Sequence, residues 1–270
     1  MKKMTVLFLL LGILVGCSAA PAETESTEPS VPTETQPLLT VPAETLPSEP
    51  VPPAPGQNQA AFSILENDDS IRNDRGDRLV TILYDQVILD TSQPQWAPIN
   101  ETIAGSYRAF REETDHLRET PPETWEEMLG DMGALYGTFH CTCRAEVTNN
   151  SGGIFSIRMT RDWYMGGVFN QDYTGMTFDL TTGEQVQLAR LSDLPEAEFA
   201  RQLKEIVCAE LAEYVDVLPE DPTEVLETYA LEDISFYIRE GELVLTFPTY
   251  TFGPGAMGPT VIKTGLYPTL

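Results

Sequence analysis

Histidine, basic side chains and long apolar runs are all scarce in this sequence, and each shortage removes a class of function. Only two histidines, His116 and His140, occur in 270 residues. No Ser-His-Asp set can be assembled from them, and Ser151-Gly152-Gly153 lacks the G-x-S-x-G elbow of a serine hydrolase. Lysine and arginine number 16 against 42 acidic residues, a formal net charge of −26. Affinity for nucleic acid rests on Lys and Arg that neutralise phosphates, so nucleic acid is excluded as a partner. A cationic partner would instead be drawn in by the long-range field, although acidity also serves simply to keep an exported protein soluble. The apolar run Val6 to Val15 is too short to span a bilayer by itself.

That run fits another purpose. Met1-Lys2-Lys3 is a basic start, Val6 to Val15 an apolar centre, and Leu14-Val15-Gly16-Cys17 resembles the bacterial lipobox. Residues 1–17 are therefore expected to be a lipoprotein signal peptide, with Cys17 as the lipid anchor and the mature chain held on the extracytoplasmic face of the cell membrane. Residues 18–59 are rich in Pro, Thr, Glu, Ser and Ala and contain no basic residue. Such a segment buries too little apolar surface to offset chain entropy, and is expected to be a disordered tether.

Folding is expected to begin near Ala61. Leu79 to Tyr84 and Val87 to Leu89 read as strand, and Ile99, Ile103, Tyr107 and Phe110 recur at helical spacing. A second helix is expected over Glu123 to Leu135, weakened by Gly130 and Gly133. Phe139 to Thr148 and Ile154 to Thr160 read as paired strands around Asn149-Asn150-Ser151-Gly152-Gly153. Met176, Phe178 and Leu180 alternate with polar residues, Thr182-Gly183 offers a turn, and Val186 and Leu188 resume the alternation, which predicts a hairpin. The longest helix is expected from Leu194-Pro195 to Pro219, with Phe199, Leu203, Ile206 and Val207 in its apolar stripe. Ile234 to Ile238 and Leu243 to Phe247 flank Glu240-Gly241-Glu242 as another hairpin, and Val261 to Lys263 closes the chain as a short strand. This mixture predicts an α+β fold with a largely antiparallel sheet, one long packing helix and a smaller α/β subdomain ahead of it.

Gly166-Gly167, Gly175 to Gly183 (GMTFDLTTG), Leu191 to Leu194 (LSDL) and Phe247 to Gly258 (FPTYTFGPGAMG) stand in order and spacing that resemble the extracellular domain of the RsiV-type anti-sigma factors. The resemblance covers roughly residues 139–270, and residues 60–138 look like the small α/β domain that commonly precedes it. It implies a module that recognises lysozyme, a strongly cationic wall hydrolase, or one otherwise linked to the cell wall. The sequence departs from the pattern in two places. Val168-Phe169-Asn170 stands where the family usually has a His, and Gly255 replaces an aromatic after Gly-Pro. The anti-sigma reading would also need a sigma-binding segment and a full span, neither of which precedes the tether. The expectation is the binding module alone.

Cys141 and Cys143 sit two apart on a strand, on one face, and Cys208 lies on the long helix. A disulfide between Cys208 and one of the pair, or buried thiols, is expected ahead of a zinc site, because Cys-x-Cys with one distant Cys and His140 matches no finger or ribbon spacing. No metal and no cofactor are called for. His116 falls in a charged helix end, and acidic pairs such as Asp68-Asp69 and Glu126-Glu127 are expected by chance in so acidic a chain. A wall hydrolase with such a carboxylate pair is the least favoured reading. The residues chosen for ligand binding are Trp163, Tyr164, Gly166, Gly167 and Phe169 around the first loop, and Tyr250, Phe252, Gly253 and Pro254 in the second. Aromatics on shaped loops bring contact area at little rotamer loss, though both groups could equally pack on the domain's own sheet. The expected function is a surface lipoprotein that binds a lysozyme-like protein, for sensing or inhibition, without catalysis; a peptidoglycan-binding module is the alternative.

Overall fold

The structure, a computed structural model, describes residues 59–132 and 139–268. The leader, the anchor Cys17 and nearly all of the tether lie outside the described residues, as do the last residues of the helix expected to end at Leu135.

The chain folds as α+β around two sheets. The first is built on β3 (Arg78–Leu89), whose Val80, Ile82 and Leu89 are fully buried. β1 (Phe62–Asp68) and β2 (Ile71–Arg72) pair antiparallel along one edge of β3. β4 (Phe139–Ser151), β5 (Ile154–Tyr164) and β6 (Asn170–Asp179) continue the sheet on the other side in the order β1-β3-β4-β5-β6. All these pairs are antiparallel except β3–β4, where Val80 stands opposite Phe139 and Tyr84 opposite Cys143 in parallel. The ladder ends where the buried Asp85 carboxylate accepts from Ala145 N at 3.2 Å and from Arg144 Nη1 at 2.6 Å. The division expected at 138/139 therefore falls between two paired strands of one sheet, not between subdomains.

The turn between β4 and β5 is Gly152-Gly153, at φ +64° and +81°. Positive φ at both central positions is what a two-residue type I′ hairpin demands, and glycine meets it without a Cβ clash.

Helix α1 (Ala97–Glu119) buries Ile99, Ile103, Tyr107, Phe110 and Leu117 on the first sheet, with Tyr107 and Phe110 each 6.1 Å from the Tyr84 ring. α2 (Pro122–Met132) adds Trp125, edge-on to Phe139 at 5.5 Å. Truncating a buried aromatic such as Phe110 to Ala would cost about 3–5 kcal/mol.

The second sheet is β7 (Ser235–Arg239), β8 (Glu242–Phe247) and β9 (Thr260–Lys263), antiparallel and in that order. One face, with Phe236, Ile238, Leu243 and Leu245, packs under Phe199, Leu203, Val207 and Leu211 of α3 (Glu196–Leu211). α4 (Pro222–Glu227), capped by Asp221, adds Leu226 to this core. The outer edge of β7 lies across β4–β6. Ile238 O accepts from Thr148 Oγ1 at 2.6 Å and Ile238 N donates to Ser156 Oγ at 2.9 Å.

Three expectations change. The second arm of the hairpin after Thr182-Gly183 is a single bridge, Phe178 to Gln185, followed by a 3-10 turn at Leu188–Leu191. The long helix starts at Glu196 and ends at Leu211. The disulfide is not formed, for all three described cysteines are free. Cys141 and Cys143 point into the α1 core while Cys208 packs against the α3 core, so the fold separates the thiols. Among the described residues no helix is long and apolar enough to cross a membrane.

Two predictions follow from this packing. A Cβ at Gly175 would fall inside the van der Waals shell of the Phe236 carbonyl and 2.8 Å from Tyr237 N. Gly175→Ala should therefore lower the unfolding free energy by about 2 kcal/mol or more, read as a shifted urea midpoint. Burial pushes the Cys143 thiol up to about 12, with nearby carboxylates adding to the rise and Arg161 opposing it. The thiolate is the reactive form, so iodoacetamide at pH 8 should leave Cys143 unmodified in the native protein. In denaturant without reductant Cys141, Cys143 and Cys208 should all alkylate; a cross-linked Cys208 peptide would contradict the separated cores.

Candidate functional site

The two loops chosen from sequence meet at one end of the first sheet. β5 ends in Trp163 and Tyr164, and the chain turns through Gly166 (φ +90°) before β6 begins at Asn170. The other loop follows β8 and contains a 3-10 turn at Gly255–Met257. Hydrogen bonds latch one to the other. Thr249 N donates to Asp172 Oδ1 at 2.8 Å, Thr249 Oγ1 donates to Gln171 O, and Tyr250 Oη donates to Asn170 Oδ1 at 3.1 Å.

The aromatic residues of these loops divide by exposure. Tyr250 is 60 % exposed and holds φ +75°, a left-handed conformation that a bulky side chain rarely adopts. Its ring lies against Gly255, where an added Cβ would overlap the phenol. The aromatic that the resemblance expects at 255 is thus sterically replaced by Tyr250 itself. Phe252, in contrast, is 2 % exposed and edge-on to Phe247 at 5.0 Å, inside the α3 core. It is a packing residue, and its place among the ligand-binding candidates is corrected. Tyr164 is likewise buried, stacked on His140 at 5.9 Å. Trp163, Gly166 and Gly253 are half-buried, while Gly167 and Pro254 are exposed on the loop surfaces.

Phe169 is 50 % exposed and lies 5.7 Å from the His140 ring, so His140 is sandwiched between Tyr164 and Phe169. Met165, Val168 and Met257 are also exposed around these loops. The reading of His140 as a neighbour of cysteines missed this role, because its face of β4 is opposite to theirs. His116 stays on the surface at the end of α1, with Nδ1 2.8 Å from Glu113 O.

Beside the loops lies an open cleft of about 320 Å³ between the second half of α1 and the ends of β4–β6. Phe110, Trp163 and Met165 line it with Cys141, whose thiol burial pushes up from its ordinary value. Its charged lining is Glu113, Arg161, Asp162 and Asp172. Arg161 is paired with Glu113, and its guanidinium lies 5.8 Å from the Phe110 ring centre. Asp162 Oδ1 accepts from Gln171 Nε2 at 2.8 Å, and its Oδ2 from Thr142 Oγ1 at 3.4 Å. Sequence reasoning did not find this cleft, since Glu113, Asp162 and Asp172 are far apart in the chain and unremarkable in so acidic a protein. Among the described residues no group of three or more His, Cys, Asp or Glu side chains is placed to hold a metal ion.

Comparison with known proteins bears on the fold. Residues 179–263 match the family described as a protein of unknown function, DUF3298. That span holds α3, all of the second sheet and the Tyr250 loop, and omits the Met165–Phe169 loop. No curated protein matches the chain. Among solved structures the chain is similar to a DUF3298 family protein from Pseudomonas aeruginosa, at 16 % identity and a TM-score of 0.47 over 77 % of this chain and 89 % of that one. It is also similar to a member of the DUF3298 family from Bacteroides fragilis, at 14 % identity and a TM-score of 0.54 over 76 % of this chain and 90 % of that one. Likeness at such identity concerns architecture, and the α+β arrangement of two sheets with a DUF3298 segment is what it establishes.

Proposed function

We propose that the protein is a lipid-anchored surface lipoprotein whose RsiV-like module binds a cationic, wall-associated protein of the lysozyme kind, for sensing or inhibition, without catalysis of its own. The observation that carries this reading is the latched loop pair, which turns Met165, Val168, Phe169, Tyr250 and Met257 outward. Exposed apolar residues gathered on one surface mark interaction sites, and rigid aromatics are their usual anchors. The His140 stack under Phe169 and the Gly255 seat under Tyr250 hold both rings before any partner arrives, which lowers the ordering cost of binding. Net charge supplies the second support, because a surface this acidic steers a basic protein toward it.

The test is titration of the full chain, in mild detergent, with egg-white lysozyme at about 0.15 M salt. Phe169→Ala with Tyr250→Ala should weaken binding at least ten-fold, about 1.4 kcal/mol. Binding that the double variant leaves unchanged, or that salt alone abolishes, would refute the reading. Retention on purified peptidoglycan with no affinity for lysozyme would favour the glycan-binding alternative instead.

A further inference from the structure

The cleft beside the loops has apolar walls and an acidic rim, and these select a kind of occupant. Its cation, Arg161, stands opposite Asp172 in the β5–β6 ladder yet pairs with Glu113. Among the described residues neither Asp162 nor Asp172 has a Lys, Arg or His within ion-pair distance. Met165 and Trp163 connect this acidic rim to the exposed Met165–Phe169 loop, so the cleft and the loop surface are continuous.

We infer that the cleft receives one basic side chain, arginine or lysine, from the protein that docks on the loops. The inference rests on the binding reading above and assigns its electrostatic subsite. Long basic side chains lay their methylene stems along apolar surface and keep the charged head at a polar rim. Phe110, Trp163 and Met165 suit the stem, and an indole face also attracts the cation. The head then meets Asp162 and Asp172 in charge-assisted hydrogen bonds. Asp172 Oδ1 is occupied by Thr249 N, which places the second loop within one residue of the incoming charge. Contact in the cleft and contact on the loops are thereby parts of one footprint.

The experiment compares the full chain with Asp162→Asn/Asp172→Asn and with Glu224→Gln/Glu227→Gln, a control that removes two exposed carboxylates of α4 from the same total charge. Asparagine keeps an acceptor for Thr249 N and for Gln171, so the latch survives. With egg-white lysozyme as probe, the cleft variant should lose at least ten-fold in affinity and the control less than two-fold. Met165→Lys, an exposed position at the rim, should lower affinity as the cleft variant does. Equal losses in the cleft variant and the control would overturn the inference while leaving the binding reading standing. If lysozyme fails to bind the unaltered chain, the binding reading falls and N-acetyl-arginine amide decides the inference. A saturable change in Trp163 fluorescence that Asp162→Asn/Asp172→Asn abolishes supports it, and no change overturns it.

Discussion

The outer edge of β7 is buried against another sheet, and its backbone must find partners there. An unpaired peptide group in such a place costs about 1–3 kcal/mol. Side-chain hydroxyls supply those partners. Thr148 donates to Ile238 O, Ser156 accepts from Ile238 N, and Thr177 bonds Ser156 at 2.8 Å. Ser235 Oγ accepts from Gly175 N at 3.0 Å, and the absence of a side chain at 175 lets the Phe236 carbonyl approach. Ser156 and Thr177 are almost wholly inaccessible to solvent. Hydroxyls can rotate to donate or accept, which suits a crossing where strand directions do not match a ladder. The two sheets are thus joined by a directional contact that also fixes their register.

That register determines where the loops lie. Thr246 Oγ1 donates to Tyr173 O at 3.3 Å, so the end of β8 runs beside the start of β6. Three residues later Thr249 reaches Asp172 and Gln171, and Tyr250 reaches Asn170. Position 250 takes positive φ at a cost of order 1–3 kcal/mol, offset by this over-determined surrounding. The reversal sends Tyr250 outward while Phe252 turns into the α3 core. Strain, exposure and loop position are consequences of the same crossing.

Much of this architecture was legible in the sequence, and what was not has a physical reason. The strands at Leu79–Leu89, Phe139–Thr148 and Leu243–Phe247 announced themselves by apolar alternation, and the Gly152-Gly153 and Glu240-Gly241 turns by residue type. β1 was missed because Phe62, Ile64 and Leu65 lie on an exposed edge strand and follow no one-sided pattern. The first half of β6, Asn170 to Thr174, is polar, since its side chains serve the latch and the cleft. Thr148, Ser156 and Thr177 read as the wet face of a sheet, yet they lie in a dry crossing, because a hydroxyl that binds another strand looks like one that binds water. The loops were named correctly as a pair, but their inner and outer aromatics could not be separated. The sorting depends on φ at Tyr250 and on the depth of the α3 core, neither of which a residue type encodes.

Charge and contact divide the work of recognition in a protein built this way. Every arginine of the chain takes part in an ion pair: residues 72, 75, 78, 108, 111, 118, 144, 158, 161, 190, 201 and 239. The basic side chains are thus largely neutralised at home, and the field that reaches solvent is that of surplus carboxylate. Such a field falls off over a Debye length of about 8 Å at physiological salt, so it accelerates encounter and repels acidic surfaces without choosing among basic ones. Choice requires short-range fit. Only near Asp162 and Asp172 does surplus carboxylate lie next to aromatic and thioether walls that continue onto the exposed loops. A basic partner guided by the whole surface would be held where that charge and that apolar contact coincide, and its residence would be set by the rings of Phe169 and Tyr250.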